Sequence, residues 1–240
     1  MSTNGYTLTP LTATITPGES TDLQFTVTGP DGKPVTRYQV QHDKKLHFIV
    51  VSRDLGHFQH LHPVEVGSGV WSVKITLPEA GAYRAYADFA PEGGSGLTLT
   101  TDLLVGGAYT PKALPPVNRT AHVDGYTVTL EGELVAGQAS MLTLKVDRDG
   151  KPVTDLEPYL GAYGHLVALR AEDLAYLHVH PQESATAGPE ILFHAEVPSR
   201  GDYRLFLDFR HAGVVRTADF TVKADGAATA PVHHHHHTGH

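Results

Sequence analysis

Histidine is the residue type with the clearest chemical use in this chain. There are 17 histidines among 240 residues and no cysteine. A His-x-His-Pro sequence at His60 and His62 returns at His178 and His180, with an offset of 118 residues. Imidazole nitrogens bind Cu(II) and Zn(II), whereas thiolate sites, iron–sulfur clusters and blue-copper centres all require cysteine. Any bound metal is therefore held by nitrogen and oxygen ligands.

The residues around the first His-x-His sequence predict an antiparallel β-hairpin. Two β-prone runs flank a turn, and pairing Val51 with Phe58 would place His47 opposite His62. Because side chains alternate along a strand, His60 would share their face. Opposite Cβ atoms are about 5 Å apart, so three imidazoles on one face can converge on one ion. The hairpin therefore predicts a three-histidine metal site.

The second copy repeats this pattern and adds candidate oxygen ligands. His165 corresponds to His47, and Asp88 recurs as Asp208 on the strand expected beside the hairpin. Strict alternation from Tyr83 would turn Asp88 to the outer face, so its use as a ligand would need a bulge. Water is the alternative fourth ligand. The candidate metal ligands are His47, His60, His62 and Asp88 in the first copy, and His165, His178, His180 and Asp208 in the second.

The parity of the neighbouring residues predicts where these histidines point. Ile49 and Val51 share their parity, which indicates a core-facing set and a half-buried site at the end of each sandwich. The structural alternative is that His-x-His-Pro merely ends a strand, and that its recurrence reflects duplication alone. Four further histidines have no counterpart in the other copy and are interpreted as surface residues: His42, His122, His194 and His211.

The chain consists of two copies of one unit. The sequence DGKPVT at residues 31–36 returns intact at 149–154, and a proline-bearing stretch separates the copies. The predicted organisation is a first immunoglobulin-like sandwich at 1–108, a proline-containing linker at 109–120, a second sandwich at 121–225, and a disordered His-rich tail or purification tag at 226–240.

Each unit has the pattern of an all-β immunoglobulin-like sandwich with Greek-key topology. Short β-rich runs alternate with Gly, Pro and Asp turns, and about seven strands in about 100 residues are typical of that fold. Tyr83 and Tyr203, each two residues after a glycine, resemble its tyrosine corner. The strands of the first unit are expected near 6–15, 22–29, 45–52, 57–63, 70–77, 82–90 and 97–105.

Charge and hydropathy argue against two classes of partner. The net charge is −8 and the 18 basic residues are scattered, which argues against nucleic-acid binding. No apolar run reaches the roughly 18 residues of a membrane helix, so we expect no membrane span in this chain. The first residues also lack the features of a signal peptide.

The runs 46–63 and 161–181, with their two His-x-His-Pro sequences, resemble exported bacterial proteins labelled heavy-metal-binding. In fold and ligand type the chain is also similar to periplasmic copper-resistance carriers, although the methionine-rich Cu(I) motif of those carriers is missing, since the methionines are Met1 and Met141. The resemblance implies an extracytoplasmic location, with an export signal or anchor preceding Ser2, and a metal as ligand.

These observations lead to one functional expectation and two alternatives. We expect an extracytoplasmic protein that sequesters or delivers Cu(II), or else Zn(II), through one three-histidine site in each repeat. An envelope protein that supplies or accepts the metal would be its partner. The first alternative is a cell-surface immunoglobulin-like interaction or spacer module with structural histidines. The second is a zinc or copper metalloenzyme, although no general base or nucleophile pattern accompanies the histidines.

Overall fold

The computed structural model describes residues 2–226 and is built from β-strands. No helix in that range is long and apolar enough to cross a membrane. The predicted all-β fold class, with two repeated sandwich domains, is confirmed. Of the segment predicted to be a tail or tag, Gly226 ends the last strand and residues 227–240 lie outside the described part of the chain.

The first domain contains two sheets, and its strands lie close to the predicted positions. They are β1 (Ser2–Thr3), β2 (Tyr6–Pro10), β3 (Ser20–Thr28), β4 (Leu46–Ser52), β5 (Phe58–Leu61), β6 (Val64–Gly67), β7 (Val70–Thr76), β8 (Gly81–Phe89) and β9 (Leu97–Val105). The strand orders are β1-β2-β3-β7-β6 in one sheet and β5-β4-β8-β9 in the other. The histidine hairpin is therefore β4 and β5, at one edge of the second sheet.

The second domain repeats this architecture. Its strands are β10 (Thr120–Val123), β11 (Tyr126–Glu131), β12 (Val135–Ala136), β13 (Ala139–Arg148), β14 (Lys151–Pro152), β15 (His165–Arg170), β16 (Tyr176–Leu177), β17 (Val179–Pro181), β18 (Glu190–Glu196), β19 (Gly201–His211) and β20 (Val214–Gly226). One sheet has the order β10-β11-β13-β18-β17, with β14 paired to β13, and the other has the order β12-β20-β19-β15-β16.

Each domain has a core of its own between its two sheets. In the first domain Phe25 and Phe48 stack across the sheets, with ring centroids 4.7 Å apart. The tyrosine corner is present in both domains, because the hydroxyl of Tyr83 donates to the carbonyl of Glu79 at 2.8 Å and that of Tyr203 donates to Ser199 at the same distance. These bonds fix the entry into β8 and β19, the central strands that carry the candidate aspartates.

A third apolar cluster joins the two domains. Every residue of β4 is buried, because Phe48 and Val50 face their own core while Ile49 and Val51 pack against the other domain. Leu114 of the linker packs on the same cluster. The histidine-bearing face was expected to be the core-facing one, and this expectation is wrong, since it is the face where the domains meet. A continuous apolar run, without alternation, is the sequence signal of a strand covered on both sides.

The contact between the domains is made twice, with the roles of the two units exchanged. Phe58 stacks on Phe206 at 4.1 Å with an interplanar angle of 4°, and Tyr86 contacts Tyr176 at 5.8 Å. Tyr176 is the counterpart of Phe58, and Phe206 is the counterpart of Tyr86, in the repeat. The two sandwiches therefore pack with approximate two-fold symmetry, which brings corresponding strand ends of both units together.

Candidate metal centre between the two domains

Four histidines and one aspartate meet where β4, β5, β15 and β19 converge. The His60 ring lies 4.7 Å from that of His165 and 5.0 Å from that of His62, measured between centroids. The rings of His47 and His165 are nearly parallel and 6.0 Å apart. Asp208 completes the group from β19. The site predicted at the end of one sandwich is thus located between two sandwiches.

The backbone register explains how these side chains come to share a face. Val51 pairs with Phe58, which confirms the predicted hairpin register, and Ile49 pairs with His60. His165 is the partner of Asp208 across β15 and β19. Residues paired across adjacent strands project to the same side of the sheet.

Asp88 occupies the corresponding position in the first domain, opposite His47 on β8. Both candidate aspartates therefore point to the outer face of their sheets, as strict alternation from Tyr83 requires. That outer face is also the histidine face, so the expected bulge is not needed and is corrected. The earlier argument assigned the histidines and aspartates to opposite faces because it took the histidine face to be the sandwich core.

His60 is anchored across the domain boundary. Its Nδ1 lies 3.0 Å from Oδ2 of Asp208, and the two side chains are 1% and 3% exposed. The other carboxylate oxygen, Oδ1, accepts a hydrogen bond from the hydroxyl of Thr217 at 2.5 Å. A histidine that donates one ring N–H to a buried carboxylate, and thereby presents its other nitrogen in a fixed orientation, is the usual arrangement of a metal-binding imidazole.

The partners of His47 and His60 define their neutral tautomers. Nε2 of His47 lies 2.9 Å from the carbonyl oxygen of Gln41, which only accepts, so this nitrogen carries the proton and Nδ1 presents a lone pair. His60 donates from Nδ1 to the Asp208 carboxylate, so its Nε2 also presents a lone pair. These two unprotonated nitrogens, His47 Nδ1 and His60 Nε2, are 3.3 Å apart. No hydrogen bond joins them while both rings are neutral.

His62 contributes a third nitrogen to the same point. Its Nε2 is buried and has no hydrogen-bond partner, which carries a free-energy cost in a protein interior. The ligand atoms of His47, His60 and His62 all lie within 4.8 Å of one another. Two tetrahedral ligands at the usual zinc–nitrogen distance are about 3.3 Å apart. The donor set therefore fits a divalent metal ion held by imidazoles.

A second group of ligand atoms shares His60 with the first. His60, His165 and Asp208 each offer one atom, and these atoms also lie within 4.8 Å of one another. Nδ1 of His165 is buried without a hydrogen-bond partner, like Nε2 of His62. Each of the two groups thus contains one buried imidazole nitrogen that no protein group satisfies.

Burial keeps the clustered histidines neutral. Desolvation lowers the pKa of His60 and of His165 to about 3 and that of His62 to about 4, with further lowering by neighbouring histidines. The pKa of His47 is lowered for the same reason. Burial also raises the pKa of Asp208 to about 6. At neutral pH the cluster therefore presents uncharged imidazoles and one carboxylate, which is the protonation state that binds metals.

The second domain does not form the predicted three-histidine site. After Leu177 the chain leaves its sheet, and β17 pairs with β18 in the opposite sheet, where His180 faces His194. His178 and His180 border a separate cavity instead, and neither belongs to a metal-ligand group within residues 2–226. Only His165 of the expected triad joins the centre, so this prediction is corrected. Spacing alone could not show it, because the sheet change falls inside the His-x-His sequence.

His178 and Asp88 lie at the position that the pseudo-symmetry relates to His60 and Asp208. Burial raises the pKa of the Asp88 carboxyl, and the nearby charge of His178 opposes this effect. Asp88 accepts a hydrogen bond from Thr98 at 3.1 Å. This pair therefore repeats one contact of the centre without the converging rings around it.

Two of the histidines interpreted as surface residues have defined roles. His42 is exposed, but its ring lies 6.1 Å from that of His47 and 6.2 Å from that of His165, and it lines a cavity of about 620 Å³. His42 thus connects the buried cluster to solvent. His211 is buried between the Tyr126 hydroxyl at 2.5 Å and Asp155 at 2.8 Å, so its surface assignment is wrong.

The fold and the centre together define a tandem immunoglobulin-like β-sandwich protein with a histidine cluster between its domains. The chain belongs to the family described as "Domain of unknown function (DUF8832)", whose pattern it matches twice, at residues 1–105 and 121–226. No match was found among curated proteins.

Solved structures with a similar fold include bacterial surface proteins and modules. The Escherichia coli adhesin FdeC is 15% identical, with 94% of this chain and 65% of that one covered and a TM-score of 0.30. Yersinia pseudotuberculosis InvD is 15% identical, with 97% and 61% covered and a TM-score of 0.31. The fibronectin(III)-like modules of Clostridium thermocellum CbhA are 12% identical, with 95% and 100% covered and a TM-score of 0.26. This chain spans less than two thirds of the first two, and the likeness describes the fold alone.

Proposed function

We propose that this protein binds one divalent metal ion, Cu(II) or else Zn(II), between its two domains through His47, His60 and His62. The observation that carries the proposal is the pair of unprotonated nitrogens, His47 Nδ1 and His60 Nε2, that face each other at 3.3 Å. Two lone pairs at this distance repel each other unless a cation lies between them. The buried Nε2 of His62 supplies the third ligand.

The chemistry of the donors supports the choice of metal. Imidazole is a good ligand for both Cu(II) and Zn(II), and the Irving–Williams order favours Cu(II) at a nitrogen site. The chain has no cysteine that would select a softer ion. Asp208 would act on this ion through its hydrogen bond to His60, which holds the ring in place and increases its basicity.

The biological role that we propose is sequestration or delivery of the metal outside the cytoplasm. The resemblance to exported heavy-metal-binding proteins supports that location and a metal-exchanging envelope protein as partner. Exposed His42, between the buried cluster and the adjoining cavity, supports exchange with solutes outside the protein.

The decisive experiment uses the full chain with the six histidines between His233 and His240 replaced by alanine, here named the tail-substituted chain. After dialysis against Cu(II) or Zn(II) and gel filtration, elemental analysis should find bound metal. The electron paramagnetic resonance spectrum of bound Cu(II) should show coupling to imidazole nitrogens. A chain that retains neither metal would overturn the proposal.

The second candidate function is a cell-surface interaction or spacer module. It is supported by the apolar cluster that fixes the two sandwiches against each other, since such a unit can hold a binding face at a set distance. Adhesins are among the proteins of similar fold, and this candidate is of their kind. In this case the histidines would only join the domains, and added metal would leave the melting temperature of the tail-substituted chain unchanged.

A further inference from the structure

We propose that the centre binds a second divalent metal ion in the group formed by His60, His165 and Asp208, and that the imidazole of His60 bridges the two ions. This inference rests on the proposed function, because the first ion occupies the His47, His60 and His62 group. It assigns the cross-domain group a ligand of its own, a divalent cation held by nitrogen and oxygen.

The geometry of His60 carries this inference. Its two ring nitrogens point into different groups, since Nε2 faces His47 at 3.3 Å and Nδ1 faces Asp208 at 3.0 Å. His60 is the one residue common to the two ligand groups within residues 2–226. The separation between Nδ1 and the carboxylate oxygen is close to the edge of about 3.3 Å that a tetrahedral zinc site requires.

The second group also has an unsatisfied ligand atom. Nδ1 of His165 is buried and has no hydrogen-bond partner, although a buried polar atom is normally paired. The ring is held by its parallel stacking on His47 at 6.0 Å. On Asp208, Thr217 occupies Oδ1, which leaves Oδ2 directed at the group. A divalent ion would satisfy both atoms.

Binding of the second ion replaces a proton. The bond between Nδ1 and hydrogen in His60 breaks, the proton passes to solvent, and Nδ1 binds the metal as an imidazolate nitrogen. No electron is transferred. The imidazolate and the Asp208 carboxylate then supply two negative charges close to a dication, and such charge balance favours binding in a site excluded from water.

Cu(II) alone is the probe for the test, added to the tail-substituted chain. We expect two copper ions per chain by elemental analysis and an electron paramagnetic resonance intensity well below that of two independent spins, because an imidazolate bridge couples them. His165→Ala should reduce the copper content from two to one and restore the full signal of one isolated spin. The matched control His122→Ala, at an exposed histidine outside both groups, should retain two coupled ions.

The outcomes separate this inference from the proposed function. No bound copper would overturn both, whereas a single ion in the parent chain that His165→Ala retains would overturn the second site alone. Two ions with the full intensity of two spins would overturn the bridge. The parent measurement needs no substitution, so the test stands even if His165→Ala fails to fold.

Discussion

Nδ1 of His60 and Oδ2 of Asp208 form a 3.0 Å contact between residues 148 positions apart, one in each domain. The two side chains are almost fully buried, so the bond is protected from water. The imidazole that is central to both ligand groups is thus oriented by a carboxylate of the other repeat. Neither repeat alone can complete the centre, and the following expectations depend on this.

Replacement of both His60 and His62 by alanine should abolish copper binding by the tail-substituted chain, because it removes two of the three nitrogens of the first group and the shared ligand of the second. Replacement of His178 and His180 is the matched control, with the same residue types at the same spacing in the other repeat. Copper content in that control should remain that of the parent. Elemental analysis of both variants is the measurement, and equal losses would contradict the assignment.

The first domain expressed alone, as residues 1–108, should fold but self-associate. It has its own core, yet the separation uncovers Ile49, Val51, Phe58 and Tyr86, which form an apolar patch. Light scattering over a range of concentrations should detect dimers or larger species. The same fragment with Val51→Asp should associate less, and a strictly monomeric parent fragment would contradict the buried interface.

Truncation of Phe206 to alanine should destabilise the full chain by about 3–5 kcal/mol, as removal of a buried aromatic side chain usually does. Phe206 is 2% exposed and stacks on Phe58 across the domain boundary. Leu104→Ala is the control, because Leu104 is 75% exposed and should change stability little. Urea denaturation of the metal-free proteins measures both, and a similar small effect for both would argue against a packed interface.

Acid should destabilise the metal-free protein through its buried histidines. His60 and His165 have folded pKa values of about 3, below the unfolded value of 6.5, so the unfolded state binds more protons between these values. Stability is therefore greatest above the unfolded pKa and falls as the pH is lowered, by about 1.4 kcal/mol per pH unit for each of these histidines. Asp208 acts in the opposite direction below pH about 6, because its pKa is raised.

The net loss between about pH 6.5 and about pH 4.5 should be on the order of a few kcal/mol. Urea denaturation at several pH values measures it. A variant with His60→Gln and His165→Gln should show a flatter dependence, since it lacks both buried imidazoles. An equally steep dependence in this variant would show that other groups cause the acid effect.

Loss of the exposed histidine should slow metal exchange without changing capacity. His42 lies between the buried rings of His47 and His165 and a solvent-accessible cavity. In the tail-substituted chain, His42→Ala should release copper to an added chelator several-fold more slowly, with unchanged copper content at equilibrium. His122→Ala is the control. Equal release rates in stopped-flow measurements would exclude His42 from the exchange route.

The sequence by itself determined the all-β fold, the repetition of the unit, the tyrosine corners and the register of the histidine hairpin. These features depend on local alternation, turn residues and exact recurrence, all of which can be seen along the chain. The pairing of Val51 with Phe58 is an example, because it follows from the turn and from the parity of the residues on each side. His47, His60 and His62 converge for the same reason.

Only the tertiary structure decided which face became the site and which second-repeat residues joined it. The apolar residues Ile49 and Val51 required a cover, and alternation cannot tell whether that cover is the opposite sheet or another domain. The packing of two sandwiches about an approximate two-fold axis brought His165 and Asp208 to His60, while the sheet change after Leu177 carried His180 away. Such contacts join residues that are far apart in the chain, and they depend on how two complete domains fit together, which no local pattern specifies.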